Sequence, residues 1–287
     1  MTTTLKLAAA EIRTLEETLR AEGFDFRPLD YAHFQARAQG IVISAYRSGK
    51  VVVQGRGADE FLASHGLAQP SAPAITAPEA GSDESGKGDY FGPLVVAAAV
   101  VGPEQMAELD SLGVRDCKKM ADGTILRAAA GIRRVCPHSI RALSPQEYNA
   151  EHEAHGNVAL FLARMHAEAL AEAIAAAGGV DRLVIDKFTS TERLERALAA
   201  QGVEAEFVIR HRAEDHIAVA AASVLARAEF LIGLKELGNE YGETLPKGAG
   251  IPVERAARGI FEAGGIAALE AIAKIHFRTT DKVTGLF

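Results

Sequence analysis

The chain has 287 residues, with 31 Lys and Arg against 38 Asp and Glu for a net charge of −7, and is 48% hydrophobic. That apolar content excludes a disordered chain and supports one large domain or two ordinary ones. The negative balance argues against nucleic-acid binding by bulk charge. Two cysteines, Cys117 and Cys136, show no metal-ligand spacing and argue against a disulfide scaffold. The opening MTTTLKLAAAEIRTLEETL carries charges too soon for a signal peptide or a membrane span, so the expected location is cytoplasmic.

In chain order, LAAAEIRTLEETLRAEG is amphipathic, ends at Gly23 and predicts a helix. GIVISAYRSGKVVVQG predicts two strands around a Ser48-Gly49 turn, and ADEFLASHG a further short helix. These elements make a small unit over residues 1–68. Residues 69–80, with three prolines and one charge, predict a linker. From 81 to 287 strands and helices alternate. LVVAAAVV predicts a buried strand, NVALFLARMHAEALAEAIAAAG a long helix closed by Gly178-Gly179, and RLVIDKF a short strand. STERLERALAAQG, EAEFVIR and HIAVAAASVLARAEFLIGLKEL read as helix, strand and helix, and two helices finish the chain. The pattern is that of an α/β domain.

GSDESGKG, residues 81–88, has the Gly-x-x-x-x-Gly-Lys spacing of a phosphate-binding loop. Its chemistry opposes that reading. Asp83 and Glu84 would face an anionic ligand, Gly88 supplies no hydroxyl for a magnesium ion, and an apolar strand rather than a helix follows. The acids then call for another role. Asp186 ends an apolar strand, and Glu214 and Asp215 precede the Ala-rich helix. Carboxylates gathered from separate segments repel one another, and hard divalent cations such as Mg²⁺ relieve that repulsion. A turn for Asp83, a salt bridge for Asp186 and a helix cap for Asp215 are the plainer alternatives. Two runs are locally basic: Arg37, Arg47, Lys50 and Arg56 with no acid between residues 32 and 58, and Arg115, Lys118, Lys119, Arg127, Arg133, Arg134 and Arg141 against only Asp116 and Asp122. Such patches can track a phosphate backbone on an acidic protein.

SDESGKGDYFGPLVVAAAVV resembles the first active-site segment of the type 2 ribonucleases H, in the form of their bacterial HIII branch. VRDCKKM, LSPQEYNAEHEAHGNVALFLARMHAEAL, LVIDKF, HIAVAAASVLAR, LPKGAG and AKIHFRTTDKV follow in that family's order, and ISAYRSGKVVVQG resembles its amino-terminal TATA-binding-protein-like domain. The resemblance implies a small α+β domain followed by an α/β, RNase H-like catalytic domain with a mixed sheet flanked by helices. It implies an endonuclease that cuts the RNA strand of RNA–DNA hybrids to 5′-phosphate and 3′-hydroxyl ends, using Mg²⁺ or Mn²⁺. Asp83, Glu84 and Asp186 match the metal-binding carboxylates. Gly86, Lys87 and Gly88 match the loop against the scissile ribonucleotide, where a Cβ would block close approach. Lys118 and Lys119 fall in the family's paired-lysine loop; Glu214 and Asp215 compete as the fourth catalytic carboxylate, with Glu214 expected at the metal and Asp215 as the helix cap, and the reverse division is the alternative. Tyr46, Arg47 and Lys50 are expected to dock the hybrid, with a core aromatic the equal alternative for Tyr46, and the chain to act as a monomer. Cys117 and Ala167 depart from the family's Ser and Asn. Incision at single embedded ribonucleotides, as in the HII branch, and hybrid binding without cleavage are the alternative functions.

Overall fold

A computed structural model describes residues 2–38, 40–67, 75–114, 120–186, 188–203, 205–210 and 216–285, in two compact units, Met1–Ser71 and Ala72–Phe287. Lys118, Lys119, Glu214, Asp215 and the side chain of Asp186 lie outside the described residues.

The first unit holds β1 (Thr2–Lys6), α1 (Ala9–Ala21), β2 (Asp25–Arg27), β3 (Ala32–Ala38), β4 (Ile41–Tyr46), β5 (Lys50–Gly55) and α2 (Ala58–Ser64). The strands form one antiparallel sheet in the order β1-β5-β4-β3-β2. Ile12, Leu15 and Leu19 of α1, spaced for one helical face, pack with Phe34, Ile43, Ala45, Val51, Val53 and Phe61 into the unit's core. The expected helix, hairpin and helix are present, and Gly49 makes the turn at φ +84°. Three further strands escaped the sequence reading. β1 is threonine-rich and looks polar, β2 has only three residues, and β3, AHFQARA, alternates but does so largely on small alanines of low strand propensity. The residues alternating with the core positions leave Tyr46 half-buried and Arg37 and Lys50 exposed, off the core face.

The second unit is built on a mixed sheet, β10-β9-β6-β7-β8. Its elements are β6 (Glu79–Ser85), β7 (Leu94–Val101), α3 (Met106–Ser111), α4 (Asp122–Val135), β8 (His138–Leu143), α5 (Pro145–His155), α6 (Val158–Ala177), β9 (Arg182–Asp186), α7 (Thr191–Ala200), β10 (Glu206–Arg210), α8 (Ile217–Tyr241), α9 (Ile251–Ile272) and α10 (Arg278–Thr284). β6, β9 and β10 run parallel, and β7 is antiparallel to both neighbours. β7 is buried along its whole length because both of its faces are covered. Val95, Ala97, Ala99 and Val101 pack with α4, α8 and α9, and Leu94, Val96, Ala98 and Val100 with α6 and α7.

α5 begins at Ser144, whose hydroxyl accepts from the Glu147 amide, and α6 begins at Asn157, whose side chain accepts from Ala159 N at 2.9 Å. α6 ends as expected at Gly178, φ +77°. The last two expected helices meet inside α9 at Gly265, whose backbone is not helical. α8 is long and apolar enough to cross a membrane, yet most of it is buried against β6 and β7 as the core helix. One correction concerns the stretch around the acids: Glu79–Ser85 is the central strand β6, where the sequence suggested a linker end and a loop. Gly81 lets α8 lie close on this strand, since a Cβ there would stand 2.4 Å from Val219 N.

Candidate active site

The sheet register brings the candidate acids together. β6 pairs in parallel with β9 through Ser82 and Ile185, so the next positions on the two strands are Asp83 and Asp186. Both stand just past the carboxyl end of the β6-β9 parallel pairing, the edge at which α/β sheets present functional groups. Glu84 follows on β6, opposite Val96 of β7. Among the described residues no three His, Cys, Asp or Glu side chains converge as a ready metal site. Asp83 and Glu84 are the pair in view.

Their environments differ. Burial pushes Asp83 up to about 6, and the Glu84 charge adds to this, against hydrogen bonds from the Ser223 hydroxyl of α8 and the Glu84 amide (2.9 Å). Burial also works against the Glu84 carboxylate, but His166 and then Lys87 outweigh it and hold Glu84 down at about 2. Lys87 Nζ donates to Glu84 Oε1 at 3.2 Å. His166 Nε2 lies 3.3 Å from Glu84 Oε2, near enough for an ion pair but not aligned as a hydrogen bond. The histidine is 1% exposed, and its Nδ1 is 2.8 Å from Ser82 Oγ. Its ring stacks on Phe188, centroids 4.4 Å apart, and Lys87 Nζ stands 5.7 Å from the same ring. One acid is therefore a fixed carboxylate, and its neighbour is poised to take a proton or a cation near neutral pH.

The three loop residues also separate. Gly86 has φ +88°, and a Cβ would come within 2.1 Å of Pro93 O, so the fold itself requires glycine there. Gly88 is exposed, with no positive φ and nothing within 4 Å of a built Cβ. The free protein gives no reason for glycine at 88.

Sequence reasoning missed Ser82, Ser223, Phe188 and the contact that makes His166 more than a helix residue. A lone serine in an apolar run was the available signal, because a buried hydroxyl needs a partner. Cys136 is buried, and burial, aided by the charges of Glu108 and Glu104, pushes its thiol up to about 12, so it is inert as a nucleophile or ligand. Three of the four described residues of the second basic run are paired. Arg133 pairs with Glu229 at 2.6 Å, Arg134 with Glu108 and Arg141 with Glu172.

A mixed sheet with acids at the end of its β6-β9 pairing, beside a glycine loop and a small-residue helix, fits the ribonuclease H class of nucleases. A family model for ribonuclease HII matches residues 80–280, and one for a domain of unknown function, DUF3378, matches residues 2–77. Ribonuclease HIII of Protochlamydia amoebophila is 35% identical, covering 99% of this chain and 96% of the relative, and that of a Geobacillus strain is 37% identical over 88% and 87%. The crystal structure of Bst-RNase HIII in complex with Mn²⁺ superposes with a TM-score of 0.71 at 32% identity, covering 100% of this chain and 99% of that one. The chain belongs to the ribonuclease HIII family of type 2 ribonucleases H. It is an endonuclease that hydrolyses the RNA strand of RNA–DNA hybrids, and its family depends on divalent metal.

Proposed function

We propose that Asp83, Glu84 and Asp186 hold the divalent cations, Mg²⁺ or Mn²⁺, that this hydrolysis needs, and that Glu214 completes the set. The donor set suits hard cations: carboxylate oxygens, with Asp83 desolvated beside a second acid and lacking a full countercharge. The crystal structure of Bst-RNase HIII, a relative along the whole chain, holds Mn²⁺. Bound there, the cations supply Lewis acidity to activate water and stabilise the leaving 3′-oxygen. The chain's own residues prepare the site. His166, braced between Ser82 and Phe188, and Lys87 keep Glu84 ionised and in place. The Ser223 hydroxyl orients Asp83. The N-cap of α8 is His216, one residue beyond Asp215, so the capping role expected of Asp215 falls to its neighbour.

Gly88 carries the substrate reading. Its glycine is unexplained by the fold and is explained by close approach of the scissile ribonucleotide to the Gly86-Lys87-Gly88 loop, where the 2′-hydroxyl distinguishes RNA from DNA. Lys118 and Lys119 are assigned to the phosphate backbone, as are Arg47 and Lys50, with Tyr46 laying its ring on a sugar or base. Gly88→Ala tests the loop assignment. Its melting temperature should match wild type while KM for a hybrid rises about tenfold; an unchanged KM would remove the loop from the substrate interface.

A further inference from the structure

AKIHFRTTDKV and LPKGAG have no part in the chemistry above, yet they hold the most unusual side chain of the catalytic unit. Lys274 is 0% exposed. Its ammonium donates to two carbonyls of one short turn, Asp89 O at 3.0 Å and Gly92 O at 2.5 Å. Backbone bonds on each side complete a strap around that turn. Lys274 N donates to Tyr90 O, Gly92 N to Ile272 O and Tyr90 N to Gly248 O, while Gly248 N donates to Asp89 Oδ1 at 2.6 Å. The Tyr90 hydroxyl meets Thr280 Oγ1 at 3.0 Å.

Burying a lysine is costly, and burial draws this one down to about 7 against the opposing pull of the Asp89 carboxylate. A turn that needed only packing would be filled by an apolar residue. The strapped turn is continuous with the substrate loop, since Asp89 N donates back to Gly86 O. Its far end leads through Pro93 into β7, and Pro93 O stands where a Cβ on Gly86 would need space.

We propose that Lys274 is a positioning residue for the reaction: by fixing the peptide groups of Asp89 and Gly92 it sets where Gly86-Lys87-Gly88 presents itself to the ribonucleotide. It touches neither Asp83 nor Glu84, so its effect falls on substrate engagement and not on the cations. The proposal rests on the loop being the ribonucleotide contact, and the test separates the two.

The test uses the full chain as Lys274→Met, which keeps the stem and removes the ammonium, with Gly88→Ala in parallel. Steady-state cleavage of an RNA–DNA hybrid should show KM raised about tenfold in Lys274→Met, with kcat within about twofold and the Mn²⁺ dependence of turnover unchanged. A lysine that served stability alone would instead lower the active fraction, so kcat would fall at constant KM; that result overturns the proposal. A raised KM in Gly88→Ala beside a wild-type KM in Lys274→Met also overturns it, while leaving the loop assignment standing. A wild-type KM in Gly88→Ala removes the reading beneath both. Should Lys274→Met fail to fold, Thr280→Val loosens the same strap through Tyr90. A smaller KM rise at constant kcat is expected there, and an unchanged KM overturns the proposal.

Discussion

The two units treat charge in opposite ways. In the amino-terminal unit Arg37, Arg47, Lys50 and Arg56 pair with no carboxylate among the described residues. In the catalytic unit the comparable run is tied down: Arg133, Arg134 and Arg141 each have a glutamate, and Asp122 takes both Arg227 and Lys247. At Asp83 the catalytic unit instead buries a carboxyl beside a second acid. The contrast separates two tasks that the net charge of −7 conceals. On the proposed reading, one surface offers cations to a polyanion and one edge of a sheet offers carboxylates to metal.

The sharpest break of this contrast is at the acids. Glu84→Gln keeps the shape of the side chain and removes the charge that His166 and Lys87 hold in place. It should lower kcat on a hybrid by about a thousandfold, the scale of removing one preorganised electrostatic interaction. Glu214→Gln should follow it at nearly unchanged melting temperature. Turnover close to wild type in either variant at saturating Mg²⁺ would take that residue out of the metal set.

Next in size is hybrid affinity, where the two basic runs can be set against each other. Arg47→Ala with Lys50→Ala should weaken binding several-fold and flatten its salt dependence, by a slope of about 0.9 for each phosphate no longer neutralised. Arg133→Ala with Arg134→Ala should leave that slope alone, because those guanidiniums are already paired. Equal reductions of slope in the two double variants would dissolve the distinction between the units.

A smaller effect lies in stability against pH. The folded-state value of Asp83, about 6, stands above its reference of 3.8, so between roughly pH 4 and 6 the folded chain binds the extra proton. Stability from this group therefore falls as pH rises through that window, and the full cost, roughly 2–3 kcal/mol, is present above it. Without divalent cations, Asp83→Asn should melt above wild type at pH 7.5, by about 2–4 °C for each kcal/mol relieved. Mg²⁺ should raise the wild-type melting temperature more at pH 7.5 than at pH 5 and have little effect on the variant. A variant that melts below wild type at pH 7.5 would mean that the fold depends on the carboxylate itself.

How much of this could be read from the residues varies with the kind of information involved. α1, α6, α7 and α8 follow from periodicity, caps and terminal glycines, and β7 from its apolar run. β6 did not, because Gly81, Ser82, Asp83, Glu84 and Ser85 are turn formers; lying between β7 and β9 overrides that preference. β8, α3, α4, α5 and α10 went unassigned, although Ser144 followed three residues later by Glu147 is a readable start signal. The acids stand out in the sequence because their positions match a family pattern. Their division into a fixed anion and a poised acid does not, since it depends on His166 and Ser223, which lie 82 and 140 residues downstream of Glu84 and Asp83 respectively. Likewise the two loop glycines look alike as letters, and only their neighbours show that Gly86 serves the fold and Gly88 does not.

The central claim, that neighbouring parallel strands bring a third carboxylate beside Asp83 to hold the cations, is tested most directly at Asp186, which is placed by the register of β9 against β6. Asp186→Asn should be assayed for cleavage of an RNA–DNA hybrid across a titration of Mg²⁺ and of Mn²⁺, with hybrid affinity measured on the same protein. The account predicts no cleavage above background at any cation concentration, with affinity for the hybrid retained. Near-normal turnover at saturating cation would contradict it.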